Sequence, residues 1–287
     1  MTTLTIESVV TTAPVFPIGP VETDVLTART KATWVAGDFG KIAESYAPGA
    51  ADFIARMNFQ PGDRVLDVAC GTGNLTIPAA RTGAQVTGID IAPNLLEQAQ
   101  RWATAEGLTI GLDEGNAEQM SYPDGAFDAV VTMFGAMFAP RADNIASELA
   151  RVCRSGGRIA MANWTPDGFI GQMFKIVAKH VPPAPGAPSP LLWGNPGMVG
   201  ERFGSQIKDL RCTLRTITFH FPFSPAATVD CFRTYYGPTV RAFATLNPDA
   251  QAALRSDLEQ LWTKHNRGQN GRTQVDSTYL EVIAIRK

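Results

Sequence analysis

The chain has 287 residues, 45% of them hydrophobic, and a net charge of −2. That length and apolar content suit a single α/β domain with insertions and a large core. The absence of a basic excess argues against a general nucleic-acid binder. Cys70, Cys153, Cys212 and Cys231 form no CxxC pair and no zinc-ligand spacing, so no metal site is expected. They read as reduced thiols of a cytoplasmic protein. The first twenty residues carry no positive n-region and no long apolar stretch, so no secretory leader is expected. No run of about 18 apolar residues occurs, so no membrane span is expected either.

Residues 1 to about 28, rich in Thr, Val and Pro, read as a loose, flexible arm able to fold over a site. One domain is expected over 29–287. A helical pattern runs from Lys31 to Tyr46 and resumes from Ala50 to Phe59, broken around Pro48-Gly49. Pro61-Gly62-Asp63 turns into a first strand, Arg64 to Val68. A helix from about Leu75 to Thr82 stops at Gly83, as helices often do just past their last turn. Gln85 to Ile89 is a second strand, Asn94 to Ala105 an amphipathic helix, and Leu108 to Glu114 a third strand. Phe127 to Met133 is a continuous apolar run, expected of a strand covered on both faces. A helix over Asn144 to Arg154 and the Ser155-Gly156-Gly157 turn lead to a fifth strand, Arg158 to Trp164. Five such alternations specify a parallel, doubly wound sheet.

The pattern then changes. Gly168 to His180 is helical, and Val181 to Pro196 holds six prolines and reads as a loop. Arg211 to Phe221 alternates like a strand. Asn247-Pro248-Asp249 opens a helix with Asn as cap and Pro at the first helical position. Leu254, Leu258, Leu261 and Trp262 mark its apolar face, and Ser277 to Arg286 is the final strand. Long structured insertions of this kind tend to be functional. The segments at about 166–210 and 223–275, with the arm, are therefore expected to build an acceptor pocket around a core at about 60–165.

The chemistry concentrates in Val65-Leu66-Asp67-Val68-Ala69-Cys70-Gly71-Thr72-Gly73-Asn74. A buried strand ends in an acid and turns on two glycines, where a ligand can approach the backbone closely. Ile89-Asp90 ends the next strand in a second acid, 23 residues on, the length of one strand–helix–strand unit. That layout holds a nucleoside at the carboxyl ends of adjacent parallel strands. Thr76 stands where the dinucleotide fingerprint needs its third glycine, so NAD is disfavoured.

The segment resembles motif I of class I S-adenosylmethionine-dependent methyltransferases, in the LDVACGTG form of the ubiquinone/menaquinone-biosynthesis-type small-molecule branch. The resemblance covers about residues 31 to 165. It implies a doubly wound, Rossmann-like α/β sheet, mostly parallel with its last strand antiparallel, carrying a helical insertion. It implies S-adenosylmethionine as cofactor and a small-molecule acceptor as partner, with no nucleic acid and no membrane, in a monomer or homodimer. Asp67 and the carbonyl of Ala69 then face the ammonium of the methionine tail, and N–H groups of the Gly71–Gly73 loop face its carboxylate. Asp90 faces the ribose diol; the plainer alternative is a cap for the helix beginning at Pro93. Ile91 and Leu95 flank the adenine. Glu114-Gly115-Asn116-Ala117-Glu118-Gln119-Met120 resembles the family's GDAEQLP segment, in which an Asp and the following N–H read the adenine edge. Asn116 replaces that Asp and accepts without charge; Ala117 supplies the N–H. Met133 and Phe134 wall the sulfonium, with Phe138. Trp34, Phe39 and Tyr46 resemble a lid whose aromatic faces attract the cation; core packing is the equal alternative for each.

No catalytic residue is assigned. The candidates are His180, at the border of the Pro-rich segment, and Tyr235 and Tyr236, which are placed to orient an acceptor. The chain lacks the (D/N/S)PP(Y/F) motif of amide- and adenine-N methyltransferases and the Pro-Cys nucleophile of cytosine-C5 enzymes. A small apolar or aromatic metabolite remains as acceptor, through O, N or C. Quinone C-methylation is one alternative and a non-catalytic cofactor-binding scaffold or sensor another.

Overall fold

A computed structural model describes residues 20–184 and 187–287. Seven strands form one sheet in the order β3-β2-β1-β4-β5-β7-β6: β1 (Arg64–Val68), β2 (Gln85–Asp90), β3 (Gly111–Glu114), β4 (Phe127–Met133), β5 (Cys153–Trp164), β6 (Ile207–Phe221) and β7 (Thr273–Arg286). The first five run parallel, and β7 is antiparallel to both β5 and β6. This is the expected doubly wound α/β sheet. Strand order reverses at β1, whose neighbours are β2 and β4, and a ligand crevice opens at such a switch point. The register sets Val68 beside Ile89, so the two strands carrying Asp67 and Asp90 end side by side.

Four helices follow the parallel strands: α4 (Thr76–Ala80), α5 (Pro93–Ala105), α6 (Ala142–Val152) and α7 (Phe169–His180), with α1 (Pro20–Val35), α2 (Gly40–Ala43) and α3 (Ala47–Met57) before them. Residues 1–19 of the segment read as an arm lie outside the described residues; from Pro20 onward it is α1. The helical pattern breaks at residues 36–39, not at Pro48-Gly49. Pro48 instead sits in the first turn of α3, where its missing N–H costs no helical bond. The true break is tied to α5: Asn94 donates to the Gly37 carbonyl at 3.3 Å and Gln98 donates to Asp38 at 3.0 Å.

The Pro-rich segment is only partly a loop. Ser189 accepts from the Leu191 N–H and starts a 3-10 turn over Pro190–Gly194. Asn195 then accepts from the Gly197 N–H at 2.9 Å and starts α8 (Pro196–Phe203). Between β6 and β7 stand α9 (Pro225–Tyr235), α10 (Gly237–Ala244) and α11 (Pro248–His265). Ser224 caps α9, and Asn247 caps α11 by accepting from Ala250 at 2.9 Å. These caps satisfy N–H groups that a helix start leaves bare.

The late helices share one core with the sheet. Trp262 of α11 is fully buried against Phe169 at 4.5 Å, Phe232 at 5.2 Å and Phe221 at 5.9 Å between ring centroids. Trp262→Ala should cost about 3–5 kcal/mol through lost transfer energy and a residual cavity. Chemical denaturation will show this as a lowered midpoint.

Candidate active site

The site begins where β1 ends. Ala69 takes a left-handed backbone conformation (φ 56°), followed by Gly71 (φ 55°) and Gly73 (φ 92°). At the end of β4, Phe134 is also left-handed (φ 55°). A bulky residue there is a true outlier. Such strain costs about 1–3 kcal/mol per residue and persists only where its surroundings enforce it. The enforcement is visible. A Cβ on Gly135 would stand 2.6 Å from both the Ala69 Cβ and the Ala69 carbonyl oxygen, so the two strand ends meet through a residue without a side chain. The Phe134 ring is stacked on Trp164 at 3.4 Å between centroids.

The two acids hold this loop. Asp67 is buried, and its Oδ2 accepts from the Thr76 hydroxyl at 2.6 Å. Burial pushes its carboxyl up to about 7. Asp90 is buried too; its Oδ2 accepts from the Gly71 N–H at 2.8 Å and its Oδ1 from the Ala92 N–H at 2.9 Å. Burial also raises Asp90, while N–H groups of Ala92, Gly71 and Ile91 oppose the rise. The capping alternative for Asp90 therefore holds in part, since Ala92 immediately precedes α5. Each carboxylate oxygen keeps a further lone pair for a ligand.

These residues surround a cavity. Of those singled out from sequence, Asp67, Ala69, Gly71, Asp90, Ile91 and Leu95 wall one side. Asn116, Ala117, Met133 and Phe134 wall another, and Trp34, Phe39, Tyr46 and Phe138 close it. Gly73 stands outside the wall: a Cβ there would come 3.2 Å from Ile77 and 3.4 Å from Ala99, so this glycine lets the loop pack on α5. His180 is also elsewhere. Its Nε2 lies 2.8 Å from Asp257 Oδ2, tying the end of α7 to α11. Tyr235 is exposed at 36%, whereas Tyr236 is buried at 5%.

Asn116 is engaged on both sides of its amide. Its oxygen accepts from the Glu118 N–H at 3.0 Å, and its nitrogen donates to Thr27 of α1 at 3.4 Å. Glu118, itself buried, is ion-paired with Arg141 and accepts the Arg141 backbone N–H at 2.5 Å. Lys31 of α1 is ion-paired with Glu114. Sequence reasoning missed Thr27 and Thr30, which α1 brings into the wall, and also Glu118 and Gly135. The α1 residues carried no signal, because their segment showed no periodicity. Gly135 followed a strand ending in the manner of a turn glycine, and only the Ala69 contact shows its purpose.

A second, much smaller chamber shares Phe39, Tyr46, Phe134 and Phe138 with the cavity. Ile42, Trp164, Ile170, Met173, Phe219, Phe232 and Tyr236 complete it. Its walls thus come from β5, α7, β6, α9 and the turn before α10. An outer groove of about 1420 Å³ between α1, α7 and the Pro-rich segment shares Phe138 and Tyr236 with the chamber.

A family model described as a methyltransferase domain matches residues 65–157. An uncharacterized protein of Mycobacterium tuberculosis is 40% identical over 79% of this chain and 85% of its own length. The demethylmenaquinone methyltransferase of Deinococcus radiodurans is 40% identical over 47% of this chain and 56% of its own length. Among solved structures, the YcgJ protein of Bacillus subtilis aligns over 84% of this chain and 99% of its own, with a TM-score of 0.55 at 16% identity. The chain belongs to the class I S-adenosylmethionine-dependent methyltransferases.

A methyltransferase of this class is an enzyme that moves a methyl group from S-adenosylmethionine. The likeness to the menaquinone enzyme is partial, and the fold likeness to YcgJ carries no substrate with it. Among the described residues no helix is long and apolar enough to cross a membrane.

Asp67 gives the site a pH dependence. The unfolded chain releases this proton near 3.8 and the folded chain holds it to about 7. The folded state binds more protons between those values, so the ligand-free methyltransferase loses stability as pH rises from about 4 to 7. An ammonium beside the ionised carboxylate offsets that loss. S-adenosylhomocysteine should therefore raise the melting temperature more at pH 8 than at pH 6. Asp67→Asn should abolish the difference in the same thermal-shift series.

Proposed function

We propose that this methyltransferase transfers the methyl group of S-adenosylmethionine to a small apolar or aromatic metabolite held in the second chamber. The observation that supports this most is the shared wall: Phe39, Tyr46, Phe134 and Phe138 border both the acid-lined cavity and the aromatic chamber. Two ligands seated there would contact the same four side chains.

The residues of the cavity fit the cofactor by their chemistry. Asp67, whose Oδ1 is free of the Thr76 bond, and the Ala69 carbonyl suit an ammonium. Of the glycine-loop N–H groups, Gly71 donates to Asp90 and Gly73 to the Cys70 carbonyl, which leaves the Thr72 N–H to suit a carboxylate. Asp90 suits a diol through its remaining lone pairs, and the backbone bonds to Gly71 and Ala92 fix its position. Ile91 and Leu95 offer apolar faces to a purine, while Asn116 and Ala117 offer its edge an amide and an N–H. When bound, S-adenosylmethionine supplies an electrophilic methyl on a cationic sulfur. The aromatic rings of Trp34, Phe39 and Tyr46 attract such a cation and exclude water that would compete for the methyl. The protein's remaining work is positioning, which alone lowers such barriers by several kcal/mol, about 7–11 in the best intramolecular cases. Neither His180 nor Tyr235 borders the cavity or the chamber, which leaves Tyr236 of the three candidates as a residue able to touch an acceptor.

Two measurements test the reading. Calorimetry should show S-adenosylhomocysteine binding and no heat with NAD; the reverse result removes the proposal. Asp90→Ala should weaken S-adenosylhomocysteine binding at least tenfold, about 1.4 kcal/mol, with unfolding still cooperative. Unchanged affinity would take Asp90 out of the ribose role.

A further inference from the structure

The second chamber has an unusual polar inventory. Its walls are Phe, Ile, Met, Trp and Tyr, and among them the described residues include no carboxylate, imidazole, lysine or arginine. The polar hydrogens available are those of the Tyr46 and Tyr236 hydroxyls and the Trp164 indole N–H. Among the described residues neither hydroxyl makes a hydrogen bond within the protein, and neither belongs to the side-chain atoms sealed away without a partner, so each keeps access to a ligand or to water.

We propose that the chamber selects an acceptor with an apolar ring body and an ionised oxygen nucleophile, a carboxylate or an acidic phenol or enol, held by the Tyr46 and Tyr236 hydroxyls. This inference rests on the methyltransferase reading of the first cavity and deepens it.

The chemistry follows from what the walls lack. A neutral O–H acceptor must lose its proton before or during transfer, which needs a base in reach. The chamber walls offer none. Burial pushes both tyrosine hydroxyls well above their usual range, and the Tyr46 phenol further opposes ionisation of Tyr236, so they stay protonated and donate. An acceptor that arrives as an oxyanion forms its O–C bond as the S–C bond breaks, and the bonding pair returns to sulfur. No proton has to leave. An anion is expensive in an apolar chamber, but it would approach a bound sulfonium directly, as transfer requires, and would receive two charge-assisted hydrogen bonds. Phe138 and Tyr236 line both the chamber and the outer groove.

The test uses the full chain loaded with sinefungin, which carries an ammonium where the cofactor carries its methyl-sulfonium. 4-Nitrophenolate and nitrobenzene then serve as probes of one body with and without the oxyanion. The loaded protein should bind 4-nitrophenolate at least tenfold more tightly than nitrobenzene. Tyr236→Phe should lower that ratio severalfold with sinefungin and nitrobenzene affinities unchanged, and Tyr46→Phe should lower it as well. A ratio near one in the wild-type protein, or one that both substitutions leave intact, would overturn the inference while the function stands. Failure to take up sinefungin at all would overturn both.

Discussion

The contact between Ala69 and Gly135 governs the geometry of this protein. The ends of β1 and β4 are driven together at the point where strand order reverses, and both chains escape the sheet through left-handed residues. A side chain at 135 would hold them apart, and a larger one at 69 would fill the crevice. The strain of two non-glycine residues in that conformation is of order a few kcal/mol. It is offset by burial of the surrounding strands and by the Phe134–Trp164 stack. What results is a crevice whose floor is backbone, with N–H and C=O groups reachable by a ligand.

On that floor the two carboxylates do different things. Asp67 is tied to one hydroxyl and is held near neutrality by burial. Asp90 is braced by two backbone N–H groups, one from the glycine loop and one from the start of α5. Its bracing locks the loop to the second strand, so one side chain sets both the loop conformation and the direction of its own spare lone pairs. The two backbone bonds leave Asp90 with unused acceptor sites, because a carboxylate has more of them than this bracing consumes.

The remaining walls come from parts of the chain far from motif I. Helix α1 closes the cavity through Thr27, bonded to Asn116, and through the Lys31–Glu114 pair. The aromatic chamber is assembled from β5, α7, β6 and α9, brought together by the antiparallel return of β7 between β5 and β6. Segments before and after β6 therefore line one compartment.

Periodicity, strand-ending acids and helix caps are local signals, and they determined much of this protein on their own. The parallel strands, the Asn247 cap, Asp67, Asp90 and the glycine turn were all legible, because backbone conformation and short-range hydrogen bonds depend on neighbouring residues. The break before α3 was misplaced, since a proline signals a helix start and a helix stop with the same letter. Only the tertiary structure decided that His180 pairs with Asp257, that Gly73 serves helix packing, that Thr27 reaches Asn116, and that Tyr46 and Tyr236 share a chamber. Each of those facts joins residues distant in sequence, and the energies that bring them together are burial and packing, which no local pattern encodes.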